Sequence, residues 1–290
     1  LFFKNMTLQF MILTYNSDNA LEECLNSIKG NYPILVIENS ARNEFKQKIE
    51  KKYQNLKCIL TNKNLGFGRA MNLGLRMIDT KYVLTLNPDT ILNKDTISNL
   101  LTASNQIEDF CLLSPIIVGK NKNFGYFEKS KLINKDNNYC EVDYINGFAM
   151  FFNKTKFNDN YFDENFFLYL EEIDLCRRMR NNNERIFIIR DSTISHYGGK
   201  SADERFRKEM EFARNWHWMW SIVYYNKKHF GFLSALKKTF LNFLLSFLKS
   251  ILYFLIFNHF KSKIHWLRFS GILSGYFGKK SFYRSKLDNE

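Results

Sequence analysis

The stretch Tyr82-Val83-Leu84-Thr85-Leu86-Asn87-Pro88-Asp89-Thr90 runs from an apolar segment with strand character into a proline and a carboxylate. Proline cannot continue a central strand, and a carboxylate at the mouth of a sheet is costly unless water, a cation or another partner takes it up. The bland reading of Asn87-Pro88-Asp89 is a turn; the sharper one is a metal or phosphate site. A second acidic group, Glu171, Glu172 and Asp174, falls within four residues of a segment with amphipathic helical spacing, so the three carboxylates cannot share one face. Like-charge repulsion among them raises at least one pKa, towards a group able to take a proton near neutrality. A helix start would also favour acids there, through the macrodipole alone. His196 ends a strand-like run, and a lone histidine is more often structural than a ligand. Gly66-Phe67-Gly68 invites a dinucleotide-binding reading, but the third glycine of that motif would fall at position 71, where Met71 stands. A tight strand-to-helix turn explains the glycine pair better.

Alternating elements must present these groups. Residues 8–14, 34–37, 58–60, 82–86 and 111–118 read as strands, and 18–29, 43–53, 68–78 and 94–107 as helices, with Asp18 as an N-cap. This order predicts an α/β fold, a mostly parallel sheet flanked by helices. Ligands in such sheets sit at the carboxyl ends of the strands. Those ends are Tyr15-Asn16, Glu38-Asn39-Ser40, Thr61-Asn62 and Asn87-Pro88-Asp89, all polar. Residues 119–144 carry little periodicity and read as a loop or lid, followed by a short apolar segment at 145–152, a helix over 167–180 and a strand over 185–189. No internal repeat is present.

Taken in order, four blocks resemble the family 2 glycosyltransferases of GT-A fold, in their bacterial rhamnosyltransferase-like branch. They are Thr14-Tyr15-Asn16 with 21–28, then Asn64-Leu65-Gly66-Phe67-Gly68-Arg69-Ala70-Met71-Asn72, then Leu86-Asn87-Pro88-Asp89, and finally 162–175 with His196 downstream. The resemblance covers about residues 7–220 and implies a metal-dependent, inverting transfer of a sugar from a UDP- or dTDP-sugar, rhamnose being the leading sugar, to a saccharide or lipid-linked acceptor in surface polysaccharide synthesis. Asp89 matches the last carboxylate of the family's Asp-X-Asp motif, which holds Mg²⁺ or Mn²⁺ against the donor diphosphate; Asn87 stands where the first carboxylate usually is. Glu172 matches the catalytic carboxylate, the general base for the acceptor hydroxyl, with Glu171 and Asp174 beside it. Donor contacts are implied for Thr14, Tyr15, Asn16, Asn64, Gly66, Arg69, Asn72 and Asn87. Glu38 stands where an Asp accepts a hydrogen bond from the pyrimidine N3–H, and Ala41 and Asn43 depart from the usual Ser and Asp. Asn146-Gly147 resembles the block lining the donor sugar and acceptor cleft. His196, in a His-x-Gly-x-Ser-like block, is implied as a metal or diphosphate contact, with Lys200 and Ser201 on the phosphates.

The 45% hydrophobic and 17% aromatic content excludes a disordered chain. The five scattered cysteines contain no C-x-x-C pair, which argues against a disulfide framework or zinc site and predicts a reducing compartment. The opening LFFKNMTLQFMIL lacks a basic leader and a small-residue cleavage site, so export is not expected. The formal charge is +13, and residues 212–287 hold a long series of Lys and Arg with no Asp or Glu, leaving the rest of the chain close to neutral. Within this tail, residues 240–257 are apolar but for Asn242, two serines and Lys249. That is marginal for a span, which needs roughly 20 apolar residues. Helices lying on an anionic membrane surface are expected instead, placing the protein in the cytoplasm as a peripheral component of the inner membrane face. The composition therefore divides the chain into a glycosyltransferase domain at 1–211 and a helical, basic and apolar extension at 212–290. Two other readings compete. A nucleic-acid-binding protein would use the basic tail with Trp216, Trp218 and Trp220, but the lysines flank an apolar run that suits a bilayer better, so no nucleic-acid partner is expected. An inactive assembly partner is the other, kept open by Asn87 and Glu172.

Overall fold

The computed structural model describes residues 6–118, 124–125, 138–196 and 207–285. In chain order the elements are β1 (Leu8–Thr14), α1 (Asp18–Ser27), β2 (Ile34–Glu38), α2 (Asn43–Lys52), β3 (Leu56–Leu60), α3 (Phe67–Arg76), β4 (Tyr82–Leu86), β5 (Thr90–Leu92), α4 (Thr96–Gln106) and β6 (Leu112–Ile117). They continue with β7 (Phe124–Gly125), β8 (Tyr139–Glu141), β9 (Tyr144–Ile145), β10 (Ala149–Asn153), α5 (Glu171–Asn181), β11 (Ile186–His196), α6 (Arg207–Phe230), α7 (Phe232–Leu255) and α8 (His259–Tyr276). The chain forms two compact units: Leu1–Leu65 with Arg69–Phe162 and Glu172–Ala202, and Gly66–Gly68 with Asp163–Glu171 and Asp203–Glu290.

The first unit is built on one sheet in the order β3-β2-β1-β4-β10-β6-β11-β5, with β8 added on β11. Strands β2, β4 and β10 are buried at every position, as runs such as Ile34-Leu35-Val36-Ile37 require when helices cover both faces. The βαβ half, β3-β2-β1-β4, is parallel throughout. The other half is mixed, since β10 runs antiparallel to both β4 and β6, and β5 antiparallel to β11. The mostly parallel sheet read from periodicity is present, since β6 and β11 are parallel as well, and the strands β10, β5 and β8 add antiparallel pairs to it. Parallel pairs are joined by connections that contain helices, α5 lying between β6 and β11, whereas β10 and β5 are reached by turns and loops.

Two local expectations change. The N-cap of α1 is Ser17, with Asp18 in the first turn. The stretch expected as loop contains β8, paired with β11, while 119–123 and 126–137 lie outside the described residues.

The second unit contains α6, α7 and α8. Small residues mark its close approaches: a Cβ on Gly271 would lie 2.5 Å from the Trp216 carbonyl oxygen, and one on Gly275 2.7 Å from Val223 Cβ. The buried side of α7 is Ala235, Thr239, Ser246 and Ser250. Ser250 and Ser262 donate their hydroxyls to each other's carbonyls at 3.2 and 2.9 Å. The large apolar residues of α7 face outward, with Leu241 65%, Leu248 51% and Leu255 66% exposed. By length and composition α7 is long and apolar enough to cross a membrane. Helix α6 begins at Arg207, upstream of the 211/212 division read from composition.

Candidate active site

The sheet directions gather the polar strand ends at one edge. Thr14 ends β1 beside Glu38 at the end of β2, and Asn87-Pro88-Asp89 follows β4. Because β10 is antiparallel to β4, its start lies at the same edge, where Asn87 N–H donates to the Phe148 carbonyl at 2.9 Å. This places Asn146-Gly147 next to Asn87 in the chain's turn into β10. The register of β11 with β6 shifts between Ile189 and Thr193, and the end of β11 then pairs His196 with Thr90 of β5. Such an irregularity re-aims the residues after it.

The result is a direct meeting of Asp89 and His196, whose Oδ1 and Nε2 lie 3.2 Å apart. Asp89 is 8% exposed, and the His196 ring stacks on Phe148 at a centroid distance of 5.0 Å. The Thr90 hydroxyl donates to the Phe148 carbonyl, locking the same turn. Among the described residues no third His, Cys, Asp or Glu joins this pair. A set of one carboxylate and one imidazole fits Mg²⁺ or Mn²⁺ bound in the usual manner for such ions, through one or two protein groups with substrate phosphates and water completing the shell. The Thr14 hydroxyl is buried and, among the described residues, has no hydrogen-bond partner. Tyr15 and Asn16 follow it partly exposed, Asn16 in the left-handed region at φ 53°.

The acidic cluster separates into three environments. Asp174 is fully buried and accepts from Arg178 Nε at 2.9 Å, and Arg178 also donates to the Tyr161 carbonyl. Asp174 is thus the partner of Arg178, one turn along α5. Glu171, the first residue of α5, is 4% exposed. Glu172 keeps a partly exposed side chain, yet enough protein surrounds its carboxyl that burial pushes its pKa up to about 7, against the pull of its own and the Ile173 backbone N–H groups. The preceding residues Tyr169 and Leu170 both sit at positive φ, 72° and 67°. Two adjacent non-glycine residues in that region store strain of roughly 1–3 kcal/mol each, which concentrates at sites where geometry is imposed.

Two further candidates are engaged within the protein. Glu38 is fully buried, with Oε1 accepting from Ser40 Oγ at 2.5 Å and Oε2 from Arg42 at 3.0 Å. Arg42, half-buried, also bonds Asp18 at 2.7 Å; burial lowers its pKa but the two carboxylates outweigh that and raise it. The partly exposed polar groups at this strand end are Ser40 and Arg42, detectable in the sequence only as the i,i+4 spacing of Glu38 and Arg42. Asn72 is 1% exposed and trades both ends of its amide with the Phe162 backbone, at 2.9 Å each, in place of a donor contact. Asn64 accepts from Asn39 Nδ2, while Asn39 Oδ1 takes the Leu65 N–H, which shapes the loop ahead of α3. Gly66, at φ 82°, abuts Phe167 so closely that a Cβ would lie 2.5 Å from its carbonyl oxygen. Arg69 stands exposed in the first turn of α3. Lys200 and Ser201 lie outside the described residues.

Of the three tryptophans that pointed towards nucleic acid, Trp216 and Trp220 are buried and only Trp218 is exposed, so no stacking platform is formed.

The chain is similar to known proteins in sequence and fold. A family profile described as Glycosyl transferase family 2 matches residues 10–189. A curated relative, the low-salt glycan biosynthesis hexosyltransferase Agl10 of Haloferax volcanii, is 27% identical over 199 residues, covering 62% of this chain and 63% of that protein. The matched region is thus under two thirds of the relative's length. Among solved structures, TarS 1-349 of S. aureus in complex with UDP aligns with a TM-score of 0.55 at 16% identity, covering 96% of this chain and 93% of that one. GalNAc-T7 with UDP, GalNAc and Mn²⁺ aligns with a TM-score of 0.55 at 10% identity, covering 73% of this chain and 51% of that one. The fold is the GT-A arrangement of α/β sheet and flanking helices that the motif order implies. With more than half of its length matched by the profile, the chain belongs to glycosyl transferase family 2.

Proposed function

We propose that the protein is an inverting glycosyltransferase that moves a sugar from a pyrimidine nucleotide diphosphate to a hydroxyl of a saccharide or lipid-linked acceptor, in glycan synthesis. The observation that carries this reading is the contact between Asp89 and His196, 107 residues apart in sequence, at the carboxyl edge where GT-A folds receive a donor. A hexosyltransferase role in glycan biosynthesis is what the name of Agl10 states for that protein, and UDP is what the TarS and GalNAc-T7 structures contain. The sugar panel therefore starts with rhamnose, from the motif resemblance, and N-acetylglucosamine, from a TarS structure in complex with UDP-GlcNAc.

Glu172 is the group assigned to the proton. Its carboxylate accepts the acceptor hydroxyl's proton as that oxygen forms a bond to the anomeric carbon, while the bond from that carbon to the diphosphate oxygen breaks on the opposite face. The electron pair leaves with the nucleotide diphosphate, and a single displacement inverts the anomeric centre. Asp89 and His196 are the residues that would hold a divalent cation, which when bound neutralises charge on the departing diphosphate. Thr14, with its buried hydroxyl, and Ser40 and Arg42 at the end of β2 are assigned to the nucleotide. We further assign the outward apolar face of α7 and the lysines around it to an anionic membrane surface on the cytoplasmic side.

The test is release of nucleotide diphosphate from UDP- and dTDP-sugars with a mixed acceptor panel, with and without Mn²⁺, for the parent and for Asp89→Ala. Turnover that needs the metal and disappears in the variant supports the reading. A folded parent that neither turns over nor binds any pyrimidine nucleotide would sink it.

A further inference from the structure

The helical unit carries a hollow of about 360 Å³, lined by Trp220, Tyr224, Lys227 and Lys228 of α6 together with Lys279 and Lys280 beyond α8. Four lysines line one space. Lys228 is satisfied by Asp163 at 2.7 Å, but Lys227, Lys279 and Lys280 have no carboxylate partner among the described residues. None is available nearby in sequence either, since residues 212–287 contain no Asp or Glu. Gathering like charges around one hollow raises their mutual repulsion, which an anion of more than one charge relieves.

The hollow is built rather than incidental. Trp220 Nε1 donates to the Lys279 carbonyl at 2.9 Å, and the Trp220 and Tyr224 rings stack at 4.9 Å, so one wall holds the lysine pair in place. Gly278 turns the chain at φ 67°, and a Cβ there would lie 3.6 Å from Lys227 Nζ, which brings the α6 lysine to the turn. The last carbonyls of α8 are taken by backbone N–H groups, Gly278 to Gly275 at 3.1 Å and Lys279 to Ser274 at 2.9 Å. At the rim the surface turns apolar: Phe277 is 73% exposed, Phe232 44% and Leu233 71%, and Lys227 Nζ stands 5.8 Å over the Phe232 ring.

Cations in the hollow and bare aromatic and aliphatic side chains at its mouth match an amphiphile whose head is a phosphate. We propose that the hollow binds the phosphoryl group of an anionic lipid, its tail leaving over Phe277 and the start of α7. The hollow contains neither Asp89 nor His196, and its assignment rests on the membrane reading of the helical extension rather than on the transferase reading.

The experiment is binding of soluble short-chain phosphatidate, the matching phosphatidylcholine and inorganic phosphate to the full chain, followed by thermal shift. It is repeated for Lys279→Ala/Lys280→Ala and, as an equal-charge control, for the exposed α2 pair Lys48→Ala/Lys51→Ala. The parent is expected to bind phosphatidate at least ~10-fold more tightly than phosphatidylcholine or inorganic phosphate, a difference abolished in the hollow variant and kept in the control. Inorganic phosphate binding as tightly as phosphatidate would overturn the lipid assignment. Equal losses in the two variants, both folded with unchanged unfolding midpoints in the absence of ligand, would overturn the site, since delocalised attraction depends on charge and not on place.

Discussion

Asp174 and Arg178, one turn apart on α5, form a buried ion pair at 2.9 Å that takes Asp174 out of the acidic cluster and leaves Glu172 as its chemically available member. The two carboxylates should therefore fail differently. Glu172→Gln is expected to lower kcat by roughly 10²–10⁴-fold, the range of a lost general base, with the fold intact. Asp174→Ala leaves a guanidinium without its partner and is expected to cost about 3 kcal/mol of stability, the low end for a broken buried pair because Arg178 is 22% exposed. Steady-state kinetics beside denaturant unfolding of both variants separates the roles; an Asp174 variant as stable as the parent would remove the structural assignment.

The raised pKa of Glu172 has two consequences of opposite sign. As a base it works ionised, so activity is expected to rise with pH through a midpoint near 7 and to lose that limb in Glu172→Gln. For stability, a carboxyl whose folded pKa lies above its unfolded value holds its proton more tightly when folded. The stabilisation is full below about 4.5 and is lost as pH rises through about 7. At pH 8 the Gln variant is thus expected to be more stable than the parent, by up to about 3 kcal/mol, and near pH 4 the two should converge. Unfolding midpoints measured at both pH values check this, and a variant that is less stable at pH 8 contradicts it.

Under the proposed reading, metal dependence is expected to rest on both Asp89 and His196. Asp89→Ala is expected to abolish the thermal shift that Mn²⁺ gives in the presence of a pyrimidine nucleoside diphosphate, and His196→Ala to weaken it. A saturating ligand at a hundred times its Kd adds about 2.7 kcal/mol, enough to read as several degrees. An undiminished shift in Asp89→Ala would place the cation elsewhere.

Much of this architecture was legible in the sequence because it is local. The runs at Leu8–Thr14 and Tyr82–Leu86 are short, apolar and bounded by polar turns, and they emerge as β1 and β4 with the same limits. Asp89 announced itself by following a proline at a strand end. What the sequence concealed is long-range. The sealing of Glu38 by Ser40 and Arg42 depends on how the β2 end is covered, and Asn72 reads as a polar surface residue until Phe162, 90 positions away, closes on it. The antiparallel entry of β10 has no signature in its own residues, Ala149-Met150-Phe151-Phe152-Asn153, which would suit either direction. The lysine hollow joins residues some 50 positions apart, and only the packing of α6 with α8 makes it a feature.

Gly66 tests the turn before α3. Its φ of 82° is open to glycine, and the space a Cβ needs is occupied by the Phe167 carbonyl oxygen and ring, while Phe67 N–H donates to that same carbonyl at 2.8 Å. Gly66→Ala meets both obstacles together and is expected to cost more than the ~1 kcal/mol typical of a left-handed position alone. Gly231→Ala provides the comparison, since Gly231 also has positive φ, at 83°, but nothing within 4 Å of its added Cβ. Thermal unfolding should show the Gly66 variant as clearly the weaker; equal midpoints would mean that the Phe167 contact gives way.

The surface of α7 distinguishes insertion in the plane of a membrane from simple basic attraction. At 3.6 residues per turn, Lys238, Asn242 and Lys249 recur along one flank, next to the buried small residues. Phe240, Leu241, Leu244, Leu248, Ile251 and Leu255 spread over an arc of roughly 100° on the outer side. A helix of this kind lies with its apolar face among acyl chains and its polar flank at the headgroups. Adding one lysine should then have opposite effects at two places. Asn242→Lys, on the flank, is expected to strengthen co-flotation with phosphatidylglycerol vesicles by about 1 kcal/mol. Leu248→Lys, on the outer arc, is expected to weaken it even though it adds the same charge, because an ammonium must enter the apolar layer or lift the helix from it. If both lysines strengthen binding alike, the attraction is electrostatic only and α7 does not enter the bilayer.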